Sequence, residues 1–187
     1  MSKLKEILDY NKTFVENKEY EKYKASKYPS KKIVILSCMD TRLTELLPRA
    51  LNIKNGDVKI IKNAGAVVAH PFGSIMRSIL VAIYELEANE VLVIGHHSCG
   101  MSNIDTSNTI NKIIERGISK DTLSTLEYAG INLKSWLHGF GCVHDSVKES
   151  VAIIRNHPLM PKDVFIHGLI IDPETGKLEV VIDGYDK

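Results

Sequence analysis

Two short stretches of this chain carry side chains that can do chemistry together. SCMDTRL, residues 37–43, holds Cys38, Asp40 and Arg42 at alternate positions. GHHSCGM, residues 95–101, holds His96, His97 and Cys99. His96 and Cys99 are three residues apart, so one turn can present both to a single ion. Cys38 can complete the set from a distant segment. Two thiolates and one imidazole suit Zn2+, which takes sulfur and nitrogen donors tetrahedrally. Three protein ligands leave a fourth position open, which favours a catalytic over a structural ion. Two thiolates also neutralise the ion's charge, so it acidifies water less than a three-histidine site does, and neighbouring groups must help to hold hydroxide. Asp40 and Arg42 suit that task, because an arginine fork pins a carboxylate through two parallel hydrogen bonds. A pinned Asp40 can accept a hydrogen bond from hydroxide at the open position. Alternatively, the same carboxylate can bind the metal and shut the site.

The elements that must bring these stretches together are legible from hydrophobic periodicity. Residues 4–25 read as a helix, with Leu4, Ile7, Leu8, Phe14 and Val15 near one spacing. Its charge excess suggests an arm with little core of its own. Runs at 31–37, 57–63, 90–95, 163–172 and 177–184 read as strands, the last two joined by a PETG turn. Helices are expected at 43–51, where Pro48 adds strain or an early turn, at 72–88, 108–116, 121–128 and 144–156. In the 72–88 helix Ser74 is the expected cap, and Ile75, Ile79, Ala82, Ile83 and Leu86 the buried stripe. Strands alternating with helices imply an α/β fold: a mainly parallel central sheet with flanking helices, an antiparallel edge strand and an N-terminal helical arm. Such sheets bind ligands beyond the carboxyl ends of their strands, at a switch in strand order. Both reactive stretches follow predicted strands, so both fall at that end.

At 187 residues the chain is long enough for one domain with a sizeable core. Lys and Arg total 24 against 23 Asp and Glu, a balance that argues against a general nucleic-acid binder. No run approaches the ~18 apolar residues of a membrane span. The start, MSKLKEILDYNKTF, is charged and amphipathic and lacks the apolar stretch of a signal peptide, so the chain reads as cytoplasmic. Three cysteines, Cys38, Cys99 and Cys142, make an odd, sparse set, which suggests ligands or free thiols rather than a disulfide framework. Cys142 has no partner at ligand spacing and reads as a packed or surface thiol. His138, His144, His157 and His167 receive the same plain reading, and Met101 reads as packing. KYKASKYPSKK, residues 22–32, reads as a solvated face. His97 and His70 are candidate proton shuttles, since histidine titrates near neutral pH.

CMDTRL, then NAGA at 63–66, then GHHSCGM, in this order and spacing, resembles the β-class carbonic anhydrases, in particular their small prokaryotic type. The similarity runs from about residue 4 to 184 and includes HGLIIDPETGKL, residues 167–178. The resemblance implies a zinc enzyme that interconverts carbon dioxide and bicarbonate. It places zinc on Cys38, His96 and Cys99 and an orienting catalytic dyad on Asp40 and Arg42. It implies one domain over residues 1–187, with residues 1–30 as an arm that wraps a partner subunit, and a homodimer or larger homo-oligomer with the site near the interface. The chain departs from many members at Ser98, where they carry Asp, and at His97, and segment 102–145 is less recognisable. Relatives with the same ligands act on carbon disulfide, so such a hydrolase is the first alternative. A catalytically silent zinc-binding regulatory homologue is the second. In NAGA, Gly65 and two alanines permit close backbone approach, and Asn63 can bond its own turn.

Overall fold

The computed structural model describes residues 2–186. Its centre is a five-stranded sheet of β1 (Ile33–Cys38), β2 (Val58–Asn63), β3 (Glu90–His96), β4 (Phe165–Ile171) and β5 (Leu178–Ile182). The spatial order is β2-β1-β3-β4-β5, with β5 alone antiparallel. The chain leaves β1 for β2 on one side and returns to β3 on the other. The order therefore reverses between β1 and β3, and a crevice opens beyond their carboxyl ends. Cys38 ends β1 and His96 ends β3.

β-Branched residues fill β1, β3 and β4, whose side chains are mostly buried against helices on the two faces of the sheet. On one face, α3 (Ser74–Tyr84) and α7 (Val143–Arg155) lay Met76, Ile79, Ile83, Val147, Val151 and Ile154 against Val34, Leu36, Val91, Val93, Ile166 and Ile170. On the other, α2 (Leu43–Ala50) packs Leu43 and Leu47 on Ile35, Ile94 and Ile171. Each such side chain contributes about 1.5–3 kcal/mol by leaving water. Cys38 and Cys99 belong to this second, smaller core. The helix at 43–51 thus forms, running through Pro48 and stopping two residues later.

Several boundaries differ from the sequence reading. The helix expected over 4–25 is α1 (Lys3–Glu16), capped by Ser2. It stops because Lys18 takes a left-handed conformation (φ 55°), and Glu19–Tyr23 make only a 3-10 turn. No residue of α1 is buried. In α3 the N-cap is Gly73, and Ser74 is the first helical residue rather than the cap. Leu86 lies beyond the helix end, where Glu87 turns left-handed (φ 60°) and the Ala88 N–H reaches back to the Ala82 carbonyl at 2.9 Å. Met76, with Ile79, Ala82 and Ile83, completes the buried stripe. Between β3 and α7 lie α4 (Thr106–Glu115), α5 (Lys120–Tyr128) and α6 (Leu133–Trp136). Asp105, Ser119 and Asn132 cap them by accepting backbone N–H groups. α6 was not expected, since four residues show no period.

Candidate metal centre

Cys38, His96 and Cys99 converge where the strand order reverses. One donor atom from each lies within 4.8 Å of the others, and all three residues are buried. The two sulfurs are 3.9 Å apart, too far for a disulfide and close enough to share an ion. Parallel register sets Cys38 beside Asn63, and the chain then turns through Ala64–Ala66. This turn brings the Gly65 N–H to 3.3 Å from Cys38 Sγ. Gly65 has φ 83°, and a Cβ there would lie 2.9 Å from Phe140 Cε1, so glycine is required. Asn63 clamps the turn as expected: its side chain donates to the Val67 carbonyl at 2.6 Å and accepts the Val67 N–H at 3.2 Å.

His96 shows what this donor set is suited to. Its Nδ1 is 2.8 Å from the His97 carbonyl oxygen, which can only accept, so the proton of the neutral ring sits on Nδ1. Nε2 is left with a bare lone pair, and it is a buried atom with no hydrogen-bond partner. A buried polar atom is rarely left so. A metal ion beside two thiolates satisfies it, and a carbonyl-bonded far nitrogen is how metal-binding imidazoles are usually oriented. The residues therefore fit Zn2+.

The sulfurs differ in acidity. Burial raises the Cys38 thiol, but the His96 ring in its charged form and the N–H groups of Gly65 and Asp40 outweigh that and hold it down at about 7. Burial, reinforced by the neighbouring Cys38, pushes Cys99 up to about 11.

Asp40 and Arg42 form the expected fork. Arg42 Nε donates to Oδ1 at 3.0 Å and Nη2 to Oδ2 at 2.8 Å, and the Arg42 backbone N–H adds a third bond to Oδ1 at 2.9 Å. These bonds hold the Asp40 carboxyl well below the usual carboxylate range. Asp40 Oδ2 lies 3.8 Å from His96 Nε2, so the carboxylate stands at the rim of the donor set. Arg42 Nη2 also donates to the Ser98 carbonyl at 3.1 Å, a tie between the two reactive stretches that the sequence did not announce. A cleft of ≈ 420 Å³ opens over the site, lined by Cys38, Met39, Asp40, Thr41, Arg42, Ala64, Cys99, Gly100 and Met101. Neither shuttle candidate lines it. His97 turns its ring to Glu179, and His70 accepts the Phe72 N–H in its own loop at 3.0 Å.

This fold and site match known proteins. The family model for carbonic anhydrase covers residues 33–178. The chain is 59% identical over 186 residues to Bacillus subtilis (strain 168) YtiB, across 100% of both chains, and that protein's name places it provisionally among the carbonic anhydrases. It is 30% identical over 153 residues to Mycobacterium tuberculosis β-carbonic anhydrase 1, covering 82% of this chain and 83% of that one. The crystal structure of β-carbonic anhydrase isoform I from Trichomonas vaginalis superposes with a TM-score of 0.90 at 36% identity, over 99% of this chain and 100% of that one. A carbon disulfide hydrolase from Acidithiobacillus thiooxidans is 29% identical over 157 residues, covering 80% of this chain and 76% of that one. The chain belongs to the carbonic anhydrase family, in its β class.

Proposed function

We propose that the protein catalyses reversible hydration of carbon dioxide to bicarbonate and a proton, with Zn2+ on Cys38, His96 and Cys99 and with Asp40 and Arg42 as its catalytic pair. The observation that carries this reading is the pinned Asp40 carboxylate, 3.8 Å from a buried imidazole nitrogen that has no hydrogen-bond partner. A purely structural ion needs no such neighbour. When bound, zinc supplies the Lewis acidity that lets water act as a nucleophile near neutral pH. Asp40, kept ionised by Arg42, is an acceptor only. It takes the proton side of the reacting water into a hydrogen bond and so turns a lone pair toward the carbon. Arg42 holds that carboxylate and, through the Ser98 carbonyl, fixes its distance from the ligand turn. Met39, Ala64 and Met101 give carbon dioxide a largely apolar wall.

The chain acts as one domain over residues 1–187, in the cytoplasm, as a homodimer or larger homo-oligomer. The described cysteines are all unpaired, which suits a reducing compartment. Among the described residues no helix is long and apolar enough to cross a membrane. Leu4, Ile7, Leu8 and Val15 of α1 are exposed, as an arm that covers a partner requires. Light scattering should return at least twice the chain mass; a monomer would remove that part of the reading.

Stopped-flow carbon dioxide hydration across pH, on protein of measured zinc content, tests the activity. Catalysis that rises toward alkaline pH is expected. Zinc-loaded protein that hydrolyses carbon disulfide but leaves carbon dioxide untouched would move the assignment to the hydrolase. Inactivity toward both would leave a silent zinc-binding protein.

A further inference from the structure

Beside the metal centre, on the β4–β5 edge, three side chains from three elements converge. His97 follows β3, His144 sits in the first turn of α7, and Glu179 lies in β5. Both imidazoles present Nε2 to one carboxylate: His144 Nε2 is 2.8 Å from Glu179 Oε1, and His97 Nε2 is 4.0 Å from Glu179 Oε2. The two ring centroids are 6.3 Å apart. All three side chains are exposed, with relative accessibilities of 45%, 39% and 50%, so water and ions reach them and the rings can turn. None of them lines the cleft over Cys38 and Cys99.

We propose that His97, His144 and Glu179 form a second, peripheral site for a divalent transition-metal ion of imidazole preference, Zn2+ or Ni2+. Two imidazole nitrogens and one carboxylate match the ligand preference of these ions, and the exposed face leaves room for water to complete the shell. The donors come from elements far apart in sequence but held by one sheet and one helix, so the fold sets both imidazoles beside one carboxylate, with the three donor atoms spread wider than those of the inner set. Ring and carboxylate rotations, inexpensive at an exposed site, close the remaining distance. The amino end of α7 and Lys177 oppose a cation here, while Glu179 and Asp172, which follows the Ile171 carbonyl that accepts the His97 N–H, favour it. The inference does not depend on the catalytic reading, because none of the three donors belongs to the inner set.

Isothermal titration of Ni2+ into the full, zinc-loaded chain tests it, with zinc content measured before and after. Wild type should take up one saturable equivalent of nickel beyond its zinc. His144→Ala and Glu179→Gln should each lose that equivalent while keeping native circular dichroism and zinc content, as exposed positions allow. Cys142→Ser should keep it. Absence of saturable uptake by wild type would overturn the proposal. So would uptake that survives both substitutions, or uptake lost with Cys142, which would assign the ion to that exposed thiol. The result is read as the difference between wild type and Glu179→Gln, so it stands whether or not the inner site holds zinc.

Discussion

Buried histidines at two ends of the sheet look alike and behave as opposites. His96 at the carboxyl end and His167 toward the amino end are 1% and 9% exposed, and in each Nε2 is buried without a hydrogen-bond partner. His96 Nδ1 donates to the His97 carbonyl, so its Nε2 holds a bare lone pair beside the sulfurs of Cys38 and Cys99. His167 Nδ1 instead accepts the Gly184 N–H at 3.1 Å, so its Nε2 carries the proton and faces Glu90 Oε2 at 3.6 Å. His157 repeats the second pattern, accepting the Leu159 N–H at Nδ1. The backbone group met by Nδ1 thus decides whether a buried imidazole turns a bare nitrogen inward, as a metal ligand must, or an N–H donor. Burial alone does not decide it.

The contrast can be broken in graded ways. The largest effect belongs to the proposed ligands. Cys38→Ser, Cys99→Ser or His96→Gln should take zinc from about one per chain to near zero and hydration to background, by metal analysis and stopped flow. Next is Asp40→Asn, which should keep the zinc but slow hydration by about 10²–10⁴-fold; loss of zinc instead would make Asp40 a ligand. Gly65→Ala forces a Cβ onto Phe140 at positive φ and should cost about 1–3 kcal/mol in denaturant unfolding. His167→Gln sharpens the comparison most. It should cost about 1–2 kcal/mol, through the bond from Gly184, and leave zinc content unchanged. A drop in zinc there would end the distinction between the two ends.

The smallest effect is in acid. The folded-state carboxyl of Asp40 is depressed by Arg42. Its contribution to stability is therefore complete above the unfolded value of about 3.9 and is lost as pH falls through the lower folded value. The difference in Tm between wild type and Asp40→Asn should stay constant from about pH 7 to about pH 5 and narrow below about pH 4.

The five strands were legible because short β-branched runs bounded by turn residues have few other uses. The candidate ligands and the Asp40–Arg42 pair were legible because their spacing, joined to the strand-end rule, leaves few other sites for them. What escaped depends on single backbone conformations. Lys18 and Glu87 end helices in left-handed geometry that their residue types do not advertise. Ser98, at φ 53°, lies in the turn between His96 and Cys99, and its carbonyl accepts one hydrogen bond from Arg42 Nη2. His144 read as an unremarkable histidine because its neighbours, His97 and Glu179, are 47 and 35 residues away and meet it only in the folded chain.

X-ray absorption at the zinc edge, on protein carrying one zinc per chain, tests the central claim most directly. The account predicts two sulfur scatterers at about 2.3 Å with nitrogen and oxygen scatterers near about 2.0 Å, one of them showing the outer-shell pattern of imidazole. A shell without sulfur, or one of sulfur alone, would contradict it.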